Sequence, residues 1–250
     1  MTPLLELRGV GVGRGGRSVL ADVSFTLHRG ERWALIGPNG AGKTSLLEVV
    51  VGQRPASHGE ILGRGARLRG LIGRARLLSW VADDALPTPE IRVAALLREA
   101  AARGRADASR LAHMSERLGL RGLLGARAGE LSRGELRRLS LAEALLLARP
   151  LVVLDEPFGA FDPLQMREVL ALLADEAAAG TGFLVSVHQM SDAEKFADRV
   201  LLLHDGRVLA AGDLATLRAQ AGSPGAALEA VFLALIVGAS PPTTEVHAAP

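Results

Sequence analysis

Cysteine and tyrosine are absent from this chain of 250 residues, and only 3% of its residues are aromatic, which leaves few rings to stack on a base. Without cysteine, disulfides, thiolate metal sites and cysteine nucleophiles are excluded, which suits a reducing cytosol. The longest apolar run, Ala230–Ala239, is shorter than the roughly 18 residues of a membrane span. The N-terminus lacks the basic and then apolar pattern of a secretory signal. We therefore expect a cytoplasmic chain, and we expect another polypeptide to supply any membrane spans it works with.

The charge is nearly balanced, with 29 basic and 27 acidic residues and a net charge of +2. So small an excess does not indicate a nucleic-acid partner, and we expect none. With 48% hydrophobic and 22% charged residues, the composition is that of a globular protein. All the basic residues except Lys43 and Lys195 are arginines, so a lysine that persists in this background merits attention. Nothing in the sequence assigns a role to Lys195.

The order of apolar patterns predicts an α/β domain interrupted by helices. Residues 4–28 alternate like two strands, and residues 32–37, 151–155 and 183–188 are short apolar runs typical of buried strands. Residues 11–16 match the dinucleotide-binding pattern G-x-G-x-x-G, but a strand-like stretch follows them instead of a helix, so we interpret them as a hairpin turn. Residues 63–76, rich in arginine and glycine, are predicted to form a solvated hairpin face.

The strongest motif is a phosphate-binding loop that matches G-x-x-x-x-G-K-[ST] between a strand and a helix. Its residues are Gly37, Pro38, Asn39, Gly40, Ala41, Gly42, Lys43 and Thr44, followed by Ser45. Glycines let backbone N–H groups turn around phosphate oxygens, and the helix N-terminus adds partial positive charge. We expect Lys43 to reach the β- and γ-phosphates of ATP and the Thr44 hydroxyl to ligate Mg²⁺.

A second motif lies about 110 residues further on, where four apolar residues end in Asp155 and Glu156. This pattern places Asp155 at the carboxyl end of a sheet strand, beside the Mg²⁺ that Thr44 would hold. Glu156 is then placed to orient and deprotonate the attacking water. An apolar run that ends in two carboxylates is weak evidence by itself, and the phosphate-binding loop upstream is what favours the catalytic interpretation.

Ser132 and Glu135 form a capping box at the start of a predicted helix, about 20 residues before Asp155. The segment, with Leu131, Arg133 and Gly134, resembles the LSGGQ or LSGGE signature of the ABC ATPases. That resemblance implies that Ser132 and Gly134 contact the γ-phosphate of an ATP held by the opposite subunit. A helix N-terminus directed at a phosphate provides the physical basis for this role.

The resemblance extends over almost the whole chain. Asp162 lies where the family has its D-loop aspartate, and His188 lies where the switch histidine contacts the γ-phosphate. The implied fold is a P-loop NTPase (RecA-like) α/β core with an N-terminal antiparallel β subdomain and an inserted α-helical subdomain. The expected bounds are 1–238 for the ATPase domain, about 1–83 and 150–217 for the core, about 84–149 for the helical subdomain, about 224–237 for a C-terminal helix and 239–250 for a flexible tail.

Three positions depart from the family pattern. Arg14 stands near where an aromatic residue usually stacks on adenine, and its guanidinium can also stack on a base, so we expect weaker adenine binding. Asp83, with Asp84 beside it, stands where a glutamine would ligate Mg²⁺; a carboxylate also ligates Mg²⁺ but adds negative charge near the γ-phosphate. Arg133 replaces the first glycine of the signature pair, and its side chain could reach phosphate or point to solvent.

The resemblance implies an ATPase subunit that closes on ATP with a second copy or a homologous partner, and that energises a separate membrane permease from the cytoplasmic face. Residues 227–235, ALEAVFLAL, resemble the ending of ATPase subunits in ABC-2-type exporters, so we expect export. Two alternatives remain open: a soluble ABC ATPase of an assembly system, such as iron–sulfur cluster assembly, and a regulatory ATP-binding module with little turnover. The sequence does not identify the transported substrate.

Overall fold

The computed structural model describes residues 2–14, 17–84, 87–222 and 224–239. The strands are β1 (Leu5–Arg14), β2 (Arg17–Leu27), β3 (Arg32–Ile36), β4 (His58–Gly63), β5 (Ala66–Arg67), β6 (Leu78–Val81), β7 (Leu151–Asp155), β8 (Gly182–Ser186), β9 (Arg199–His204) and β10 (Arg207–Gly212). The helices are α1 (Lys43–Val51), α2 (Gly70–Leu77), α3 (Val93–Gly104), α4 (Ala108–Arg117), α5 (Arg133–Leu146), α6 (Pro163–Ala178), α7 (Met190–Phe196), α8 (Leu214–Gln220) and α9 (Leu228–Ala239).

The larger sheet has the strand order β10-β9-β3-β8-β7-β6. All neighbours in it are parallel except β9 and β10, which form a hairpin. Every residue of β7 and β8 is buried, because helices cover both faces of a parallel sheet and continuous apolar strands suit that position. The carboxyl ends of β3, β7 and β8 share one edge, so the segments after Ile36, Leu154 and Val185 are brought together there.

The smaller sheet is antiparallel, with the order β2-β1-β4-β5. Gly11 and Gly13 lie within β1, and Arg14 pairs with Arg17 across the β1–β2 hairpin. The predicted hairpin is present as the antiparallel pair β1–β2, but residues 11–14 continue β1 instead of forming a turn, and Gly15 and Gly16 lie outside the described residues. A Cβ on Gly11 would lie 2.0 Å from the His58 ring, so a larger residue here would require the exposed His58 side chain to move.

The solvated hairpin face predicted for residues 63–76 is wrong in its second half. The β4–β5 hairpin ends at Arg67, and α2 begins at Gly70. The Arg74 side chain folds inward and donates hydrogen bonds to the carbonyls of Val50 at 2.9 Å and Gly70 at 3.1 Å. The last carbonyls of α1 lack partners within their own helix, so a neighbouring guanidinium stabilises that end.

Helices α3, α4 and α5 lie between β6 and β7 in the chain, where the helical insertion was predicted, and α3 packs on α5. The sequence did not predict α8, and α9 ends at Ala239, inside the stretch 239–250 assigned to a tail. Residues 240–250 lie outside the described residues. Among the residues described, no helix has both the length and the apolar character required to cross a bilayer. The α/β fold class expected from the sequence is confirmed.

Candidate functional site

The phosphate-binding loop joins the end of β3 to α1 and turns sharply around its glycines. Gly40 and Gly42 have φ angles of 82° and 102°, in the left-handed region that L-residues rarely adopt. A Cβ on Gly37 would lie 2.2 Å from the Leu203 carbonyl oxygen, so only glycine fits. Residues 38–40 are exposed at the rim, and Ser45 lies in the first turn of α1. No side chain caps the N-terminus of α1, so its N–H groups are available to an anion.

Lys43, the first residue of α1, lies beneath this loop and is only 6% exposed. Its Nζ donates hydrogen bonds to the carbonyls of Gly37 at 2.8 Å and Pro38 at 3.3 Å. Burial lowers the pKa of the Lys43 ammonium, while the carboxylates of Glu156 and Asp155 oppose this shift. The loop therefore holds a desolvated cation whose charge a phosphate oxygen would balance.

Asp155 connects the loop to the sheet edge. The Thr44 hydroxyl donates to Asp155 Oδ2 at 3.2 Å, and the Ser186 hydroxyl donates to Asp155 Oδ1. Ser186 Oγ also accepts a hydrogen bond from the backbone N–H of Glu156 at 2.9 Å. Glu156 has a φ of 47°, which is uncommon for a residue with a side chain and is often found where a functional group is held in a fixed direction.

Thr44, Asp155 and Glu156 line one cavity of about 560 Å³. Its lining residues are Thr44, Glu48, Gln53, Trp80, Ala82, Asp83, Asp84, Asp155 and Glu156. Among the described residues, no group of three or more His, Asp or Glu side chains is arranged to hold a metal ion. The oxygen donors of Thr44 and Asp155 nevertheless suit Mg²⁺, which typically takes one or two protein ligands together with phosphate oxygens and water. The residues present therefore fit a magnesium nucleotide.

Asp83 lies on the wall of this cavity, as a metal ligand would, but its carboxylate forms an ion pair with Arg137 of α5. Sequence reasoning missed Arg137, because nothing in its local pattern distinguishes it from the other arginines. It also missed Ser186, a single serine in an apolar strand. Both residues acquire their partners only through long-range packing.

Ser132 caps α5, as predicted: its backbone N–H donates to Glu135 Oε2 at 2.7 Å, and its Oγ accepts from the Glu135 N–H at 3.3 Å. The hydrogen bonds from Ser132 lower the pKa of the Glu135 carboxyl. A Cβ on Gly134 would lie 3.0 Å from the Ala160 carbonyl oxygen. Ser132 is exposed and does not line the cavity of Thr44 and Asp155, and Arg133 is exposed beside it.

Asp162 and His188 are also exposed and lie outside that cavity. Asp162 caps α6 and accepts hydrogen bonds from the N–H groups of Leu164 and Gln165, both at 2.9 Å. His188 follows β8 and lines a separate cavity of about 390 Å³ at the start of α9.

Arg14 ends β1, and its predicted contact with adenine stays a prediction. The fold therefore brings together Lys43, Thr44, Asp155, Glu156 and Asp83, whereas Ser132, Asp162 and His188 lie at the surface outside this cavity.

Comparisons with known proteins agree with this geometry. The family model described as ABC transporter matches residues 20–159, more than half of the chain. The thiamine import ATP-binding protein ThiQ of Cereibacter sphaeroides is 38% identical over 226 residues, which cover 87% of this chain and 95% of that protein. The hemin import ATP-binding protein HmuV of Streptomyces coelicolor is 36% identical over 220 residues, which cover 85% of this chain and 79% of that protein.

A solved structure described as the ATP-binding subunit of an ABC transporter superposes with a TM-score of 0.85 at 31% identity. The match covers 93% of this chain and 99% of that one. The family match, the relatives and the phosphate-binding loop joined to Asp155 agree. The chain belongs to the ABC transporter family, as an ATP-binding (nucleotide-binding) subunit.

Proposed function

We propose that this chain binds Mg²⁺ and ATP, hydrolyses ATP, and thereby drives a separate membrane permease. The observation that carries the proposal is the cavity shared by Thr44, Asp155 and Glu156, with the buried ammonium of Lys43 under the loop beside it. Lys43 would bind the β- and γ-phosphates, while Thr44 and Asp155 would hold the Mg²⁺ that neutralises them. When bound, Mg²⁺ stabilises the charge that develops on the transferred phosphate.

Glu156 is the proposed general base. It follows Asp155 at the carboxyl end of β7, and the hydrogen bond from its backbone N–H to Ser186 fixes the direction in which its side chain leaves the strand. In this position the carboxylate would orient a water beside the γ-phosphate and accept its proton.

The variant Glu156→Gln tests this role by separating hydrolysis from binding. We expect ATP binding to persist and hydrolysis to slow by roughly 10²–10⁴, the usual contribution of a general base. A matched control is Glu116→Gln, which removes an exposed carboxylate of α4 that does not line the cavity. Normal phosphate release by Glu156→Gln would exclude Glu156 as the base. No phosphate release by the wild-type chain would favour the regulatory module with little turnover.

Two copies, or this chain and a homologous partner, are proposed to pack head to tail. Ser132, Asp162 and His188 are exposed and lie outside the cavity of their own protomer, which suits residues that act across an interface. An ATP would then lie between the loop of one subunit and the N-terminus of α5 of the other. The γ-phosphate would favour the closed dimer because ADP cannot make the same contacts.

The direction of transport has support on both sides. The resemblance of residues 227–235 to exporter endings favours export, whereas the names of the thiamine and hemin relatives favour import. Import is therefore the second candidate. Purification of the complex from native membranes, followed by transport assays in vesicles of defined orientation, decides between them. Co-purification with soluble proteins alone, under several detergents, would replace both with the assembly ATPase.

A further inference from the structure

Arg137 of α5 forms an unusual contact with the wall of the nucleotide cavity. Its guanidinium donates to the backbone carbonyls of Ala82, at 3.2 Å, and Asp83, and it forms an ion pair with the Asp83 carboxylate. The Arg137 side chain is only 9% exposed, whereas that of Asp83 is 48% exposed. A buried arginine on the helix that Ser132 caps thus holds a half-exposed carboxylate at the cavity.

The cavity needs such a cation because its wall is rich in negative charge. Five carboxylates line it: those of Glu48, Asp83, Asp84, Asp155 and Glu156. A triphosphate carries up to four negative charges, so each uncompensated carboxylate nearby repels it. Thr44 and Ser186 donate hydrogen bonds to Asp155, and Arg54 pairs with Glu48. Arg137 pairs with Asp83 in the same way. Asp83 is the carboxylate that, from the sequence, adds negative charge near the γ-phosphate.

We propose that Arg137 is a positioning residue that neutralises Asp83 and thereby permits ATP to bind; the inference rests on the proposed function. Arg137 acts through Asp83 and need not contact the nucleotide. The pair also joins the segment after β6 to α5, so the compensating charge comes from the helix that carries the Ser132 cap.

A purely structural role makes a different prediction. If Arg137 only fastens the segment after β6 to α5 through the carbonyls of Ala82 and Asp83, neutralising the Asp83 side chain cannot replace it. If Arg137 acts by charge, removing the carboxylate removes the need for the guanidinium. The double variant Arg137→Gln/Asp83→Asn therefore distinguishes the two roles.

The experiment measures ATP affinity by calorimetry in EDTA, so that neither hydrolysis nor Mg²⁺ contributes. We expect Arg137→Gln to weaken ATP binding by roughly tenfold, and to do so less at high salt, because the repulsion is screened. We expect the double variant to bind ATP within about twofold of the wild type. Asp83→Asn alone should bind ATP several-fold more tightly, because the positive charge of Arg137 behind the cavity wall then has no counter-charge.

The matched control is Arg110→Gln. Arg110 forms a bidentate ion pair with Glu176, with both N–O distances at 2.6 Å. Neither residue lines the nucleotide cavity. This variant loses a comparable ion pair, so its melting temperature should fall while its ATP affinity stays that of the wild type. If Arg137→Gln does not fold, Arg137→Lys and Asp83→Asn carry the test: the first should keep near-normal ATP affinity and the second should increase it.

The outcomes separate this inference from the proposed function. Weak ATP binding in both Arg137→Gln and the double variant, with normal binding by the wild type, overturns the role of Arg137 and leaves the ATPase proposal intact. An unchanged ATP affinity in Arg137→Gln also overturns the role of Arg137 and leaves the ATPase proposal intact. If Arg137→Gln does not fold, normal affinity in Asp83→Asn or weakened affinity in Arg137→Lys overturns it. A wild-type chain that binds no ATP, with or without Mg²⁺, overturns both.

Discussion

At the scale of single residues, Ser186 is the group on which the geometry of the proposed catalytic carboxylates depends. It is fully buried and bridges Asp155 and the backbone of Glu156. In Ser186→Ala, Asp155 loses a hydrogen-bond donor and the Glu156 N–H loses the acceptor that Ser186 provides. We predict that this variant lowers the ATPase kcat by about tenfold. We also predict that it lowers the free energy of unfolding by about 1–3 kcal/mol. Steady-state kinetics and urea unfolding measure the two effects.

Ser115 provides the control for Ser186. Its hydroxyl is also buried and donates to the Leu111 carbonyl at 2.8 Å, but it lies within α4, outside the cavity. Ser115→Ala should change stability without lowering kcat. Equal kcat values for the two variants would show that Ser186 matters only for folding.

The residues that sequence reasoning identified differ in kind from those it missed. Lys43, Thr44 and Asp155 belong to motifs whose spacing follows from their chemistry, so a single chain predicts them. Ser186 reaches Asp155 only because β7 and β8 pair with those two residues in register. That pairing joins residues 31 positions apart, and no local pattern encodes it.

At the scale of elements, Asp162 caps a helix and also lies at the proposed dimer interface, and two substitutions distinguish these roles. Its carboxylate caps α6, so Asp162→Ala should lower the free energy of unfolding by about 1 kcal/mol. Asp162→Ser keeps a capping oxygen, and we predict near-normal stability for it in urea unfolding. If the aspartate also acts across the proposed dimer, Asp162→Ser should still weaken ATP-dependent dimerisation. Normal dimerisation by both variants would confine Asp162 to its capping role.

Glu143 of α5, which packs on α3, makes the stability of the fold depend on pH. Burial of Glu143, with a smaller repulsion from Glu99, raises the pKa of the Glu143 carboxyl from 4.5 to about 7. Between these pH values the Glu143 carboxyl is ionised in the unfolded chain but protonated in the folded one. The free energy of unfolding therefore falls as the pH rises from about 4.5 to 7, and it levels off above pH 7. The raised pKa of Glu143 lowers the free energy of unfolding by roughly 3 kcal/mol above pH 7.

Glu143→Gln should remove this loss. We predict a higher free energy of unfolding than the wild type at pH 8, by up to roughly 3 kcal/mol, and a similar value at pH 4. Urea unfolding at both pH values measures the change, and Glu116→Gln, an exposed carboxylate of α4, should leave the pH dependence unaltered. A constant difference between Glu143→Gln and the wild type across this range would contradict the prediction.

Elements were predictable where the local pattern was distinctive, as in a continuous apolar run or a helix cap. The apolar strands β7 and β8 and the capped helix α5 follow directly from their sequences. The helix α2 was missed because its residues are mostly arginine, glycine and leucine, with little periodicity. Arg74 is held by hydrogen bonds to α1, which its local pattern does not indicate. The position of α2 depends on tertiary contacts, which sequence patterns of this length do not report.

At the scale of the whole molecule, the separation of Ser132 from the cavity of its own protomer leads to the strongest prediction. Lys43→Ala should inactivate the loop, and Ser132→Arg should inactivate the opposite half-site by placing a bulky side chain at the N-terminus of α5. Each variant alone should lack ATPase activity. In a head-to-tail dimer, a mixed pair of the two variants keeps one site with an intact loop and an intact Ser132.

Mixing equal amounts of the two variants would therefore restore activity. Half of randomly formed dimers are mixed and each has one of two sites intact, so we expect about a quarter of the wild-type rate if the sites act independently. If Ser132 served the ATP of its own chain, every chain in the mixture would be defective and no activity would return. Sedimentation of the mixture with ATP provides the control, because a mixture that dimerises without regaining activity contradicts the head-to-tail arrangement.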